Sequence, residues 1–373
     1  MENEFSVTLQ RVGGWIKLAG ESRIRDLLYA YDDLHRGHSY PWVALAPTRP
    51  QKSLIPSCLV RLLLVVNSFA SSVNARNTVV VHRLLSQNHE VEIVETNRRG
   101  HAIRFAQDAA RRGLDAVVAF GGDGTLNEVA TGLAGTTTAL AVLPGGSTNV
   151  FARTIGVAND PVVATNGLLA GLQEDRIEPI GLGRVNGRFF CFHVGIGFDA
   201  AVVAHVERHA SLKRWLGHPL FIWSSAMTWA RGYDRSRSQF AIDDLSTGQR
   251  LPGLFTVVLN TGPYTYLGNR PLDLAPDARL QRGLTAVTFS SLRLPTMGAA
   301  LMSAVRGRSV ATVGDVTEWS PANHLHISAA DDDIRIPFQV DGDYLGDTET
   351  LDIDYVEDAV RLVWPGSASE VDL

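Results

Sequence analysis

Cysteine is nearly absent from this chain: Cys58 and Cys191 are the only two in 373 residues. Thiols so far apart build neither a disulfide framework nor a cysteine zinc site, and they fit a reducing, cytoplasmic setting. Long apolar runs are also lacking. Residues 59–66 make one strand, and 216–230 is interrupted by His218 and Pro219 and falls short of the ~20 residues a spanning helix needs. Residues 1–18 have no continuous apolar core and carry Glu2, Glu4, Arg11 and Lys17, so they do not read as a signal peptide. Membrane contact is therefore expected to be peripheral. Nor is there an excess of positive charge. The formal net charge of −5 gives no general attraction to nucleic acid, and a polyphosphate must be met by local cations or backbone N–H groups. The eleven histidines show no metal-binding spacing.

With 45% apolar and 20% charged residues the composition is that of a globular protein, long enough for two domains. Residues 1–58 read as an accessory segment. Ser22 can cap a helix whose Ile24, Leu27, Leu28, Tyr31 and Leu34 share a face, and a linker with Pro41, Pro47, Pro50 and Pro56 follows. From residue 59 the pattern alternates: strand 59–66, helix 77–87, strand 91–94, helix 101–112, strand 116–120, helix 126–133, strand 139–143. Apolar strands separated by helices predict a mainly parallel sheet covered on both faces. After about residue 178 come short alternating runs at 188–194, 239–242, 255–260, 285–290 and 324–327, expected to form an antiparallel β-domain, with a helical segment at 212–233. Two further runs, 350–355 and 359–363, close the chain. The expected division is 59–180 plus 345–368 for an α/β nucleotide-binding domain and 181–344 for a β-rich second domain, with the active site between them.

The strongest chemical signal is Gly121-Gly122-Asp123-Gly124-Thr125, set between a buried strand and a helix. Glycines remove the side chains that would keep a phosphate from the backbone, and a helix N-terminus supplies further N–H groups. A carboxylate beside a polyphosphate is unfavourable unless a metal ion or a transferred proton uses it, so Asp123 needs a reason. The plainer alternative makes Asp123 a helix N-cap in a tight turn. A second cluster, Pro144-Gly145-Gly146-Ser147-Thr148-Asn149, ends the next strand and offers hydroxyl and amide donors to the same crevice.

These motifs resemble those of the diacylglycerol kinase catalytic domain family, which includes sphingosine and ceramide kinases. The first motif continues through Leu126, Asn127, Glu128, Gly132 and Leu133 as in that family. Residues 144–152 are similar to its Pro-x-Gly-Thr-x-Asn-x-Phe-Ala element, and 195–200 to its Gly-x-Gly-Phe-Asp-Ala segment. Pro276-Asp277-Ala278 and Asp341-Gly342-Asp343 resemble two later motifs. The resemblance spans roughly 59–365. It implies a phosphofructokinase- or NAD kinase-like α/β domain with a β-rich lipid-substrate domain. It further implies an ATP- and Mg²⁺-dependent phosphotransferase acting on a lipid hydroxyl, diacylglycerol to phosphatidic acid being the first expectation. Asp123, with Gly121, Gly122, Gly124 and Thr125, is implied to contact ATP phosphates and Mg²⁺. Asn67, Ser147, Thr148 and Asn149 would complete the nucleotide site, and Asp343 would take the proton from the acceptor.

The chain departs from the family in four places. The first loop reads Asn67-Ser68-Phe69-Ala70-Ser71, without the family's proline and glycine; Ser147 replaces threonine and Val150 an aspartate. Asp343 stands where glutamate is usual. Gln281 and Arg282 occupy positions where acids are expected, leaving Asp277 or Asp273 to support the metal. The turn Asp341-Gly342 also reads simply as a hairpin. The stretch 212–223 mixes Lys213 and Arg214 with Trp215, Phe221 and Trp223, and suits a lipid surface or a packed amphipathic helix. Arg98, Arg99, His101 and Arg104 read either as positive charge near the nucleotide or as a solvated helix start. An NAD kinase-like enzyme and a catalytically impaired lipid-binding protein are the competing readings. A lipid substrate and a peripheral membrane are the expected partners, nucleic acid is not, and the sequence allows a homodimer without requiring one.

Overall fold

In the computed structural model, which describes residues 59–208 and 224–366, β1 (Arg61–Val66) lies between β2 (Glu90–Glu95) and β3 (Ala116–Gly121), parallel to both. β4 (Ala139–Pro144) follows beside β3, again parallel. Every residue of β3 and β4 is buried, which is why these strands read as unbroken apolar runs. Helices α1 (Ala75–Leu85), α2 (His101–Arg111) and α3 (Asp123–Leu133) connect them. Packing of α2 on α3 explains Gly132: a Cβ there would stand 2.6 Å from Ile103 O and 2.7 Å from Ala106 Cβ. The accessory segment 1–58 and the stretch 212–223 lie outside the described residues.

Helix α3 begins at Asp123, three residues earlier than its apolar pattern indicates. Two further helices, α4 (Val150–Thr154) and α5 (Pro161–Gln173), were not anticipated. The first is too short to display a period. The second carried a usable start signal, because Asp160 accepts from the Val162 and Val163 N–H groups and Pro161 opens the helix.

The second half supplies β5 (Ile177–Val185), β6 (Arg188–Phe190), β7 (His193–Gly197) and α6 (Phe198–Arg208). Then come β8 (Phe240–Asp244), β9 (Gln249–Gly253), β10 (Phe255–Leu259), and the pair β11 (Thr265–Leu267) and β12 (Arg270–Leu272). The last elements are β13 (Thr285–Phe289), α7 (Leu294–Val305), β14 (Val316–Trp319), β15 (His324–Ala329), β16 (Ile336–Val340), β17 (Asp343–Thr348) and β18 (Thr350–Val363). Six strands form a separate antiparallel sheet in the order β14-β13-β10-β7-β16-β17. The expected pairing of a parallel α/β sheet with an antiparallel β-rich part is therefore what forms.

β18 extends the parallel strands into one larger sheet that also holds β5, β6, β8, β9 and β15. Its first half pairs with β15, its last residues pair with β4, and β5 pairs with both halves of it from Ile353 to Val363. The interruption expected between 355 and 359 is a register shift between Val356 and Val360 inside one continuous strand. The run 188–194, by contrast, is broken, because the N–H groups of Cys191, Phe192 and His193 turn to a buried carboxylate, that of Asp341.

Candidate active site

The two glycine clusters leave adjacent strand ends, β3 and β4, and pack backbone to backbone. Gly145 N–H donates to Gly121 O at 2.8 Å. A Cβ on Gly145 would lie 2.5 Å from Val73 Cγ2 and 2.8 Å from Gly121 Cα, and one on Gly146 would lie 2.9 Å from Gly122 Cα. Gly121 is crowded too, by Thr125 Oγ1 at 2.7 Å. Close approach of the two loops accounts for Gly145 and Gly146, and contact with Thr125 in the first turn of α3 accounts for Gly121.

Neither accounts for Gly122 and Gly124. The nearest atom to a Cβ on either is 3.5 Å away, an ordinary contact: Gly146 Cα for Gly122 and Asp343 Oδ2 for Gly124. The backbone of Gly122 is extended at φ −85°, which any residue adopts, and Gly124 lies in the first turn of α3. Glycine in a helix costs about 1 kcal/mol relative to alanine, and no neighbouring protein atom requires it at 124. The open backbone at a strand-to-helix junction has the form of an anion cradle.

Asp123 is not the cap of its own helix. Gly122 holds the N-cap position, and the Asp123 carboxylate accepts instead from Val150 N–H at 3.1 Å and Phe151 N–H at 3.3 Å, the first turn of α4. The residue keeps some exposed surface, but its carboxylate is lodged between the loops, and burial pushes its pKa up to about 6 despite these two N–H groups. Asn67 brings in the first loop: its N–H donates to Phe120 O (3.0 Å), its Nδ2 to Thr125 Oγ1 (2.9 Å), and its Oδ1 accepts from Phe69 N–H (3.1 Å). Ser72 N–H closes the set on Gly145 O at 2.9 Å.

In the second loop Ser147 is exposed and Thr148 half-buried, and neither hydroxyl bonds to another described residue, so both are open to a ligand. Asn149 is committed to the loop itself. It is buried at φ +49°, accepts from Gly146 N–H (2.7 Å), and donates to Gly146 O and Asn159 Oδ1 (both 2.9 Å). Asp277 is exposed, without an ion-pair partner among the described residues. Its loop lies beside α4: Gly262 N–H donates to Ala278 O (2.9 Å) and Gly262 O accepts from Thr154 Oγ1 (3.4 Å). Gln281 is turned away, its Nε2 donating to Pro179 O at 2.9 Å.

The late acids arrive on the β16–β17 hairpin, whose turn residues Asp341 (φ +48°) and Gly342 (φ +83°) both take the left-handed conformation of a two-residue hairpin loop. The hairpin reading is thus correct for the backbone, and the hairpin also carries chemistry. Buried Asp341 accepts from Cys191, Phe192 and His193 N–H (2.7, 3.0 and 3.0 Å) and from Asn127 Nδ2 (2.8 Å). Burial still raises its pKa to about 6. Since Asn127 belongs to α3, this bond fastens the hairpin to the glycine loop's own helix across 214 positions of sequence. Asp343 then comes to lie against Gly124 and 3.5 Å from Arg99 Nη2.

The Arg99 loop is held by the next residue of α3. Glu128 accepts from Gly100 N–H (2.7 Å) and Ala102 N–H (3.1 Å) at the start of α2, where a helix favours negative charge. Behind the hairpin, Tyr264 donates to Asp199 Oδ1, Gln339 Nε2 donates to Asp199 Oδ2 (2.8 Å), and Gln339 Oε1 accepts from Gly342 N–H (2.7 Å). Burial raises the Asp199 pKa. Gly195 leaves room for this carboxylate, since a Cβ there would overlap Asp199 Oδ2.

Residues 61–185 match a family model described as diacylglycerol kinase catalytic domain. A Pseudomonas aeruginosa protein named "Probable lipid kinase YegS-like" is 30% identical over 237 residues, 63% of this chain and 72% of the relative. The chain belongs to the diacylglycerol kinase catalytic domain family. A diacylglycerol kinase of Bacillus subtilis is 26% identical over 272 residues, covering 72% of this chain and 84% of the relative. A crystal structure of a diacylglycerol kinase from Bacillus anthracis shares the fold, with a TM-score of 0.60 at 21% identity over 83% of this chain and 98% of that one.

Within this family member, sequence reasoning missed Asp341 as an anchor, and it left Asn127 and Glu128 as motif letters without a task. The positive φ of an Asp-Gly turn was legible; the 191–193 N–H groups awaiting Asp341 were not.

Proposed function

We propose that the chain is an ATP- and Mg²⁺-dependent lipid kinase that makes phosphatidic acid from diacylglycerol. The observation that carries this reading is Asp343 Oδ2 lying over the open backbone of Gly124. A carboxylate delivered to the edge of an anion cradle is placed to meet an acceptor hydroxyl as it approaches the terminal phosphate. The acceptor oxygen forms the new bond to the γ-phosphorus, the bond from that phosphorus to the bridging oxygen breaks, ADP departs, and the acceptor proton passes to Asp343.

Gly122, Gly124 and Thr125, with Ser147 and Thr148, are the groups available to the nucleotide. Asn67 and Asn149 hold the loops in shape. Mg²⁺ characteristically takes one or two carboxylates and fills its remaining positions with phosphate and water. That fits a chain in which no described group of three His, Cys, Asp or Glu side chains is arranged to bind a metal. Asp123, deep between the glycine loops, and Asp277, on the neighbouring loop, would hold the ion, which neutralises phosphate charge. For the acceptor, a cavity of about 920 Å³ reaches Tyr344, the residue after Asp343, and is lined in part by Ala204, Glu207, Met227, Tyr233 and Pro337.

A second reading, a family member that binds lipid with little turnover, draws on Gln281 and Arg282 standing where acids are expected and on Gln281 being turned toward Pro179. Incubation of the chain with radiolabelled ATP, Mg²⁺ and a panel of lipid acceptors in mixed micelles separates the two, with NAD as the soluble competitor. Labelled phosphatidic acid above the level of an Asp123→Ala control supports the kinase. Labelled NADP, or no product above that control, rejects it. The chain is read as cytoplasmic and peripheral, and no described helix is long and apolar enough to cross a bilayer.

A further inference from the structure

Helix α7 is packed the wrong way round for a helix facing water. Its buried positions are the small residues Thr296, Ala300 and Ala304, spaced four apart along one face. Met297 is half-buried against the core, but the other large residues point outward: Leu294, Leu301, Met302 and Val305 are 64, 55, 48 and 42% exposed. The remaining exposed positions of the helix are Pro295, Gly298 and Ala299, so no exposed position carries a polar side chain, and Ser303 is half-buried. A single exposed leucine is ordinary, but a whole helix face of apolar groups is not.

Charge of one sign frames this face. Arg293 precedes the helix and Arg306 and Arg308 follow it, all exposed, and none forms an ion pair among the described residues. From Ala278 to Gly314 the chain contains five arginines and no acid, within a protein of formal net charge −5. Asp315, which accepts from Thr296 Oγ1 at 2.9 Å, is the first acid beyond that stretch. Aliphatic side chains that enter the acyl boundary, flanked by arginines at phosphate level, are what an anionic bilayer attracts. A water-facing helix would carry charge on that side, and a second copy of an acidic chain offers the arginines less than a sheet of lipid phosphates does.

We propose that α7, with Arg293, Arg306 and Arg308, is the surface by which this protein docks on anionic phospholipid bilayers. The inference rests on the reading of the acceptor as a lipid, which must be collected from a membrane, but it can fail separately from that reading.

The test is co-sedimentation of the full chain with phosphatidylcholine vesicles, with and without phosphatidylglycerol. Wild type is expected to bind the phosphatidylglycerol vesicles and to be released by salt. Arg306→Gln/Arg308→Gln should weaken that binding roughly thirty-fold, equivalent to about 2 kcal/mol, and Leu301→Glu/Met302→Glu should abolish it. Both double variants alter exposed positions only, and should keep wild-type turnover on a short-chain diacylglycerol dispersed without vesicles. Wild-type binding by either variant overturns the proposal, and so does failure of wild type to bind. A change from dimer to monomer in Leu301→Glu/Met302→Glu, seen by analytical ultracentrifugation, assigns the face to a second copy and also overturns it. Absence of turnover on the dispersed acceptor with docking intact rejects the kinase reading alone.

Discussion

Arg99 Nη2 lies 3.5 Å from Asp343 Oδ1 on a loop that Glu128 pins to the helix of the glycine motif, and it also stands 3.7 Å from Glu207 Oε1. At 69% exposure this guanidinium contributes little stability, ~1 kcal/mol at most. We propose that, beside the proposed proton acceptor, it supplies positive charge to the terminal phosphate. Arg99→Ala should therefore leave the melting temperature within error of wild type and lower kcat/KM for ATP by roughly tenfold or more. Asp343→Asn should lower kcat by about 10²–10⁴. Steady-state kinetics beside thermal melts check both, and unchanged kcat in Asp343→Asn removes that residue from the chemistry.

The glycines divide into two groups that alanine substitution separates. Gly145→Ala forces a Cβ into Val73 and the Gly121 backbone and should destabilise the fold by about 1–3 kcal/mol, as overpacking does. Gly124→Ala meets nothing closer than 3.5 Å and should be neutral or stabilising by up to ~1 kcal/mol, yet it should cost activity by filling the cradle. Urea unfolding and a kinase assay on each variant decide it. Full activity in Gly124→Ala would falsify the phosphate role of that loop.

Asp123 has both a structural and a proposed metal-binding role. Asparagine keeps its volume and one acceptor oxygen, so Asp123→Asn should lose the bond to Val150 or to Phe151, about 1–2 kcal/mol. Its folded spectrum should match wild type while phosphoryl transfer is nearly abolished. Wild-type turnover in this variant contradicts the central assignment.

Burial gives the stability of this protein two opposing pH dependences. Asp123 and Asp341 are raised to about 6, above the ordinary carboxylate value of ~4. The folded chain therefore keeps protons that the unfolded chain releases, and this contribution is full below pH ~4 and lost as pH rises through ~6. His193 is pushed down to about 3 by burial. The folded chain refuses a proton there that the unfolded chain accepts, so this contribution is present above pH ~6.5 and lost as pH falls. Between pH ~4 and ~6, the urea midpoint of Asp123→Asn should fall less steeply with rising pH than that of wild type. The midpoint of His193→Phe should fall more steeply. Parallel profiles in all three proteins reject the assignment.

Much of the α/β half was legible because its cues are local. Each buried strand is an apolar run of six residues and each glycine cluster sits at a strand end. Boundaries moved where a long-range partner intervened. Asp341 captures three N–H groups and breaks the run 188–194, while β5 pairs with β18 on both sides of its register shift and keeps it continuous. The inverted packing of α7 was illegible as well, since Leu, Met and Val at helical spacing look the same whether they face a core or solvent.

From the sequence by itself came the parallel sheet, the glycine loop with its aspartate, and the ordered motifs that resemble one kinase family, since all of these are written in neighbouring residues. Only the tertiary structure decided what each motif residue holds. It turned Asp123 toward α4, used Asn127 and Glu128 to bind the Asp341 hairpin and the Arg99 loop, and set Asp343 over Gly124. The hydrogen bonds among those contacts reach from 27 residues, between Val150 and Asp123, to 214, between Asn127 and Asp341, the longest of them set by the pairing of β16 with β7, and no local pattern records which distant group a carboxylate will meet.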